Sequence, residues 1–248
     1  AASDVYKRQR QKASGIAEDL YTGGFRIETT IDSTLQDEAI RALRRGLIKY
    51  DENHGYRGGE GQLRGTVFEE LDSFSRLFSH TKLIAPVSLM VPEGLGERAL
   101  SGKRIVGGLH PGIVIHSSVE SALILMQDNQ LHFLELKDSK WARRYIDVDT
   151  KGPVPKRFSE ILSAGDFIRL KKGTNDQWLL SQEPEIQGAI VALDPSNGEI
   201  KALVGGFDFN QNQYNHAVQS ARQPGSGFKP FIYSAAIEND INASQIFM

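Results

Sequence analysis

Residues 112–136, with the sequence GIVIHSSVESALILMQDNQLHFLEL, decide the fold. Their apolar residues fall in short runs at 112–117, 119–127 and 130–136, and the turn signals HSS and DNQ separate these runs. Short runs of β-branched and other apolar residues, bounded by turn formers, are typical of strands. The middle of the chain is therefore predicted to be a series of closely spaced strands.

Two more apolar runs continue this pattern further along the chain, at 166–172 and 177–181, with the turn signal KGTN between them. Residues 157–163 are expected to form one helical turn before Gly165. Five short strands with an intervening helix fit a small barrel of the OB type. Such barrels often bind oligonucleotides, but the sequence has no basic face interleaved with aromatic residues, so nucleic acid is not an expected partner.

A strand and a helix are predicted on the N-terminal side of the barrel. Residues 25–31 alternate apolar and polar side chains and are rich in β-branched residues, which is the pattern of a strand. Asp-Ser-Thr at 32–34 offers N-cap side chains, and the apolar residues that follow recur at helical spacing. The glycine-rich loop 51–59 ends this unit. Further on, the apolar positions of 68–78 suggest another helix.

A β-hairpin is predicted after the barrel. Residues 188–206, GAIVALDPSNGEIKALVGG, hold two apolar runs separated by a turn. Asn197-Gly198 is a strong hairpin signal, because both residues tolerate positive φ. The chain as a whole is predicted to be α+β.

Composition bounds what the chain can be. It has 248 residues, a formal charge of −2, 40% hydrophobic residues and no cysteine. Because the chain has no cysteine, it can form no disulfide, thiolate nucleophile or zinc-thiolate site. The charge gives no general reason to bind nucleic acid or anionic lipid. No two of the six histidines have the i, i+4 spacing of a helical metal site, so no metal is expected.

The sharpest signal for chemistry is RQPGSGFKP at 222–230, which contains an S-x-x-K motif as Ser226 and Lys229. A proline is tolerated in a helix only near its first turn, so Pro230 predicts a helix that begins close to Ser226. Lys229 then lies one turn on, where i and i+3 side chains meet. The apolar residues 231–237 supply a helix that can be deeply buried.

A second S-x-x-K match, Ser79 and Lys82, has no such arrangement around it. A serine hydroxyl is a poor nucleophile until a base removes its proton, and a lysine can be that base only when it is neutral. Burial and the positive end of a helix both disfavour an ammonium group, and the helix end also offers N–H groups to an oxyanion. The motif alone favours a plainer interpretation, a serine N-cap followed by a lysine that reaches solvent.

Several blocks of sequence resemble the class A penicillin-binding proteins. Residues 188–210, together with NHA at 215–217 and RQPGSGFKP at 222–230, are similar to the start of the transpeptidase domain, whose serine motif is S-x-x-K. The N-terminal blocks YTGGFRIETTID and DENHGYRG resemble the linker that precedes it, and WARRY with GPVPK resembles the OB-like insertion of the Gram-negative members. These blocks agree in order over residues 20–248.

This resemblance implies a serine acyltransferase of cell-wall synthesis. Ser226 would attack the D-Ala-D-Ala bond of a stem peptide, Lys229 would take its proton, and a neighbouring strand's amine would resolve the acyl-enzyme. β-Lactams would acylate the same serine, and neither a metal nor an organic cofactor is implied. The implied location is the periplasmic face of a bacterial inner membrane, with an anchor and a glycosyltransferase domain upstream.

The resemblance also sets the expected domain bounds. Residues 1–9 are expected to be a read-through artefact, 10–60 a linker, 61–185 the OB-like domain and 186–248 a truncated start of the transpeptidase domain. The family's S-x-N motif after Ser226 and its K-[ST]-G motif are absent from these residues. The chain by itself is therefore expected to be catalytically incomplete.

Two alternatives stay open. Residues 60–185 could act without catalysis, as a docking module for a periplasmic regulatory protein. A serine β-lactamase shares the S-x-x-K motif, but such an enzyme normally has neither the linker nor the OB-like insertion.

Overall fold

A long N-terminal helix, α1 (Ser33–Asn53), begins where the sequence predicts it. The computed structural model describes residues 26–79, 91–241 and 244. Asp32 is the N-cap, and its carboxylate accepts a hydrogen bond from the backbone N–H of Leu35 at 2.9 Å. This bond satisfies one of the free N–H groups at the start of the helix. One face of α1 is buried, and it includes Ala39, Leu43, Leu47 and Ile48.

The strand predicted for residues 25–31 is wrong over 26–31, which form no regular structure. This segment instead lies along β7 (Ile200–Val204) and makes isolated bonds to it. The Thr30 hydroxyl donates to the carbonyl of Ile200 at 2.8 Å, and the Asp32 N–H donates to the carbonyl of Lys201 at 2.9 Å. The alternating pattern thus reflects a chain that borders a sheet edge without a continuous ladder.

Two further helices lie between α1 and the barrel. Helix α2 (Thr66–Ser79) confirms the helix suggested for 68–78, and α3 (Leu95–Ala99) is one short turn. Leu71 and Phe74 of α2 and Leu95 of α3 are buried in one hydrophobic cluster.

Five antiparallel strands form the predicted barrel. They are β1 (His110–Ser117), β2 (Ser121–Met126), β3 (Leu131–Glu135), β4 (Phe167–Lys172) and β5 (Trp178–Ser181), and their order in the sheet is β3-β2-β1-β4-β5. The sheet curls so that its two edge strands approach each other: the His132 ring of β3 lies 5.9 Å from the Trp178 ring of β5. This curled, five-stranded arrangement confirms the OB-like prediction.

The central strands of the barrel are buried on both faces. Val114 and Ile124 point into the barrel, whereas Ile113 and Leu123 pack in the cluster that holds α2 and α3. A strand that is buried on both faces has an unbroken run of apolar residues instead of an alternating pattern. This explains the sequences GIVI in β1 and ALILM in β2. Phe158, in a 3₁₀ turn (Phe158–Glu160) between β3 and β4, is fully buried in the barrel interior.

The predicted hairpin follows the barrel as β6 (Ile190–Leu193) and β7, which pair antiparallel. Gly198 in its turn has φ +75°, a conformation that glycine adopts without steric cost. Helix α1 covers one face of the hairpin. The Gln36 side chain both donates to the Leu203 carbonyl, at 3.0 Å, and accepts from the Leu203 N–H, at 2.8 Å.

The chain divides into two compact units, Ala1–Ala217 and Val218–Met248. The second contains a 3₁₀ turn (Gly225–Phe228) and helix α4 (Lys229–Glu238). No helix among the described residues has the length and apolar character that a membrane crossing needs.

Candidate active site

The S-x-x-K motif lies at the start of a helix, as its sequence predicts. Ser226 is in the 3₁₀ turn Gly225–Phe228, and Lys229 is the first residue of α4. Pro230 occupies the first turn of α4, where its missing N–H costs no hydrogen bond. Gly225, just before the serine, has φ +52°, which turns the chain sharply into the helix.

One backbone turn separates the two motif residues. The Lys229 N–H donates to the carbonyl of Ser226, so the serine backbone is tied directly to the helix start. Both side chains are exposed. Within the described residues, no hydrogen bond joins the Ser226 hydroxyl to the Lys229 amine. The structure therefore brings the two residues to one helix turn without a hydrogen bond between their side chains.

The expected deep burial of this helix is not found. Helix α4 has no buried residue, and Phe231 and Ile237 are 68% and 65% exposed. A helix that is apolar all round is hidden only where other elements pack against several of its sides. The described residues of the unit Val218–Met248 do not by themselves supply that packing.

The competing S-x-x-K match gains no support. Ser79 is the last residue of α2, and Lys82 lies outside the described residues.

Two of the histidines, His110 and His132, pack their rings against Trp178 at 4.8 and 5.9 Å. Burial, aided by the nearby charge of Lys172, lowers the pKa of both imidazoles. They form part of an aromatic cluster at the barrel seam.

A second concave feature, which the sequence did not indicate, lies in the first unit. We call it the ion-pair cleft: it has a volume of about 690 Å³ and lies between the loop after α1, strands β4 and β5, and the segment that leads to the hairpin. Asp51 at the end of α1 is 3% exposed and binds the Arg57 guanidinium through both oxygens, at 2.9 and 2.8 Å. The charged residues of the cleft are far apart in sequence, so no local sequence pattern predicts that they lie together.

Comparison with known proteins identifies the family. A model described as the penicillin-binding protein OB-like domain matches residues 91–186, and one described as the penicillin binding protein transpeptidase domain matches residues 188–248. Together they account for more than half of the chain. The chain belongs to the penicillin-binding protein family.

Relatives within this family include Penicillin-binding protein 1A of Pseudomonas aeruginosa, 36% identical over 228 residues, and that of Escherichia coli, 32% identical over 229 residues. These alignments cover 92% of this chain but only 25% and 24% of the relatives. This chain also superposes on the crystal structure of Penicillin-Binding Protein 1A from Haemophilus influenzae with a TM-score of 0.68 and 29% sequence identity. The superposition covers 95% of this chain and 30% of the Haemophilus influenzae chain. The chain thus spans about a quarter of the length of the curated penicillin-binding proteins that it matches.

The penicillin-binding protein domains divide the chain close to the segment that leads to the hairpin. The transpeptidase match begins at residue 188, just before β6, and includes both Ser226 and Lys229. The OB-like match ends at residue 186 and includes all five strands of the barrel. The ion-pair cleft is lined from both matched segments and from the loop 56–60.

Proposed function

We propose that Ser226 is the acylated serine of a D,D-transpeptidase that cross-links peptidoglycan stem peptides, with Lys229 as its general base. The observation that carries this proposal is the position of Ser226 in the turn that opens α4, with Lys229 at the first helical residue. Both residues fall within the match to the transpeptidase domain.

In the first half of this reaction, the Ser226 oxygen attacks the carbonyl carbon of the penultimate D-Ala, and the neutral Lys229 amine accepts the hydroxyl proton. The negative charge on the carbonyl oxygen is stabilised by N–H groups at the start of α4. The C–N bond then breaks, and the terminal D-Ala leaves with the proton that Lys229 held.

In the second half, the amine of a neighbouring stem peptide attacks the acyl-enzyme and replaces the serine ester with an amide. Lys229 takes a proton from the attacking amine and passes it to the Ser226 oxygen as the ester bond breaks, which restores the serine hydroxyl. A β-lactam carbonyl accepts the same attack, but its amine stays tethered after the ring opens, so the acyl-enzyme persists.

The whole protein, on this proposal, also carries a peptidoglycan glycosyltransferase domain and an N-terminal anchor, and acts at the periplasmic face of the inner membrane. The 248 residues contain neither a K-[ST]-G motif nor an S-x-N motif after Ser226. Those groups complete the proton relay and the oxyanion site in this family. The chain alone is therefore expected to react poorly with penicillin.

A graft tests the proposal. Residues 188–248 of this chain replace the matching segment of the Pseudomonas aeruginosa Penicillin-binding protein 1A, which supplies the rest of its domain. We expect a fluorescent penicillin to label the graft, and to label neither its Ser226→Ala variant nor the 248-residue chain. A graft that melts cooperatively, like its parent, but takes no label would refute the proposal, as would label that survives Ser226→Ala.

Docking of a regulatory protein at the OB-like domain is a second candidate. A bridge between Tyr145 and Lys151 closes a loop, and Ile146 and Val148 in that loop are 57% and 70% exposed. Paired apolar side chains on a closed loop offer a small anchor for a partner. Retention of a periplasmic protein by the 248-residue chain, kept in Ser226→Ala and Val119→Asp but lost in Ile146→Asp/Val148→Asp, would support docking. Retention that survives Ile146→Asp/Val148→Asp would contradict it.

A further inference from the structure

The ion-pair cleft is large enough for a ligand of several peptide units. Its charged lining residues are three carboxylates and two guanidiniums: Glu60, Glu183, Glu185, Arg57 and Arg169. The polar lining also includes the amide side chains of Gln182, Gln187, Gln211 and Asn212. A concave site with convergent polar groups is the usual form of a small-ligand site.

Both cations of the cleft are already committed to other partners. The Arg57 guanidinium holds Asp51 through two bonds and donates to the Glu183 carbonyl at 2.6 Å. The Arg169 guanidinium, 7% exposed, donates to the Glu60 carboxylate at 2.6 Å and to the Arg104 carbonyl at 2.6 Å. The Arg57 Nε also lies 3.3 Å from the Glu185 carboxylate.

Of the three carboxylates in the lining, Glu183 has the longest ion pair. Its Oε2 lies 3.8 Å from an Arg169 nitrogen, beyond hydrogen-bond distance, and its Oε1 accepts from the Gln211 amide. Burial, together with the charges of Glu60 and Asp208, raises the pKa of Glu183 despite the opposing charges of Arg169 and Arg57. A partly desolvated carboxylate whose ion pair is this long favours the approach of a second cation.

We propose that the ion-pair cleft binds a basic peptide through a primary ammonium group seated against the Glu183 carboxylate. An ammonium group is compact and carries three N–H donors. It can therefore meet Glu183 and still serve neighbouring acceptors, while the amide side chains of the lining suit the polar backbone of a peptide. This site lies wholly within Ala1–Ala217 and is independent of acylation at Ser226.

The test titrates the full 248-residue chain with N-acetyl-lysine methylamide, followed by calorimetry and NMR. Glu183→Gln should weaken binding about tenfold, because a hydrogen bond to a charged group is lost. Glu199→Gln, which changes an exposed carboxylate paired with Lys201 on the hairpin, should leave binding unchanged. The norleucine analogue, which lacks the ammonium group, should not bind.

A second measurement separates a direct contact from a folding defect. The pKa of Glu183, followed by carboxyl ¹³C NMR in the unmodified chain, should fall when the lysine compound binds, since a nearby cation favours the ionised form. An unchanged Glu183 pKa, equal binding of the norleucine analogue, or full affinity in Glu183→Gln would each overturn the proposal. Spermidine that binds as well as a lysine tripeptide would also overturn it, by showing that the peptide backbone makes no contribution.

Discussion

The ion pair between Asp51 and Arg57 should be a main stabilising contact between α1 and the rest of the first unit. Asp51 lies at the end of α1, and its side chain is 4% exposed. Besides the two bonds from Arg57, its Oδ1 accepts from the Glu185 N–H at 3.2 Å. Asp51→Asn keeps the shape of the side chain but places an N–H₂ group against a guanidinium and removes the negative charge.

The size of the effect follows from burial. Removing one partner of a buried pair costs about 3–5 kcal/mol, because the other charge stays buried without compensation. The Arg57 side chain is 21% exposed and keeps its bond to the Glu183 carbonyl, so the lower end of this range, about 3 kcal/mol, applies. For a chain of this size, that corresponds to a fall in Tm of about 9 °C.

Urea unfolding followed by circular dichroism measures this change. The matched control is Glu38→Gln on the same helix, whose partner Arg41 is solvent-exposed, and no measurable loss is expected there. If Asp51→Asn cost less than about 1 kcal/mol, or no more than Glu38→Gln, the pair would be a surface contact and the reasoning would be refuted.

Three further predictions concern the fold. A Cβ at Gly107, where φ is +59°, would lie 2.3 Å from the buried Phe207 ring, whereas a Cβ at Gly102 would meet open space. Gly107→Ala should therefore cost about 2 kcal/mol more than Gly102→Ala, and thermal unfolding of the two variants measures the difference. Asp32→Ala removes the N-cap of α1 and should cost about 1 kcal/mol in the same assay, and an unchanged Tm would contradict the capping role. Burial raises the pKa of Tyr56, so the stability that its neutral phenol contributes should be lost as the pH rises above about 10. Urea unfolding between pH 8 and pH 11 checks this, and Tyr56→Phe should show a smaller loss.

Local sequence signals predicted most of the elements because those signals coincide with tertiary packing here. The barrel strands expected at 112–117 and 130–136 appear as β1 (His110–Ser117) and β3 (Leu131–Glu135), and the Asn197-Gly198 turn closes the hairpin. The strand predicted for 25–31 was wrong because residues 26–31 lie along the edge of β7 and make only isolated hydrogen bonds to it, without forming a continuous ladder.

The two candidate sites differ in how much of each could be predicted from the sequence. Ser226 and Lys229 are three residues apart, so helix geometry alone places them together. The ion-pair cleft depends on pairs such as Arg169 with Glu60, which are 109 positions apart and meet only once the barrel packs against the loop after α1. The exposure of α4 could not be read from its apolar sequence either, because burial depends on what packs against a helix rather than on the helix itself.

Locating the acyl group in the grafted transpeptidase tests the central claim most directly. The graft is treated with a β-lactam, digested and mapped by mass spectrometry. We predict that the added mass of the intact β-lactam appears on the peptide that contains Ser226, and that Lys229→Ala abolishes it while the graft stays folded. An adduct on any other residue, or an unmodified Ser226 peptide in a graft that melts like its parent, would contradict the assignment.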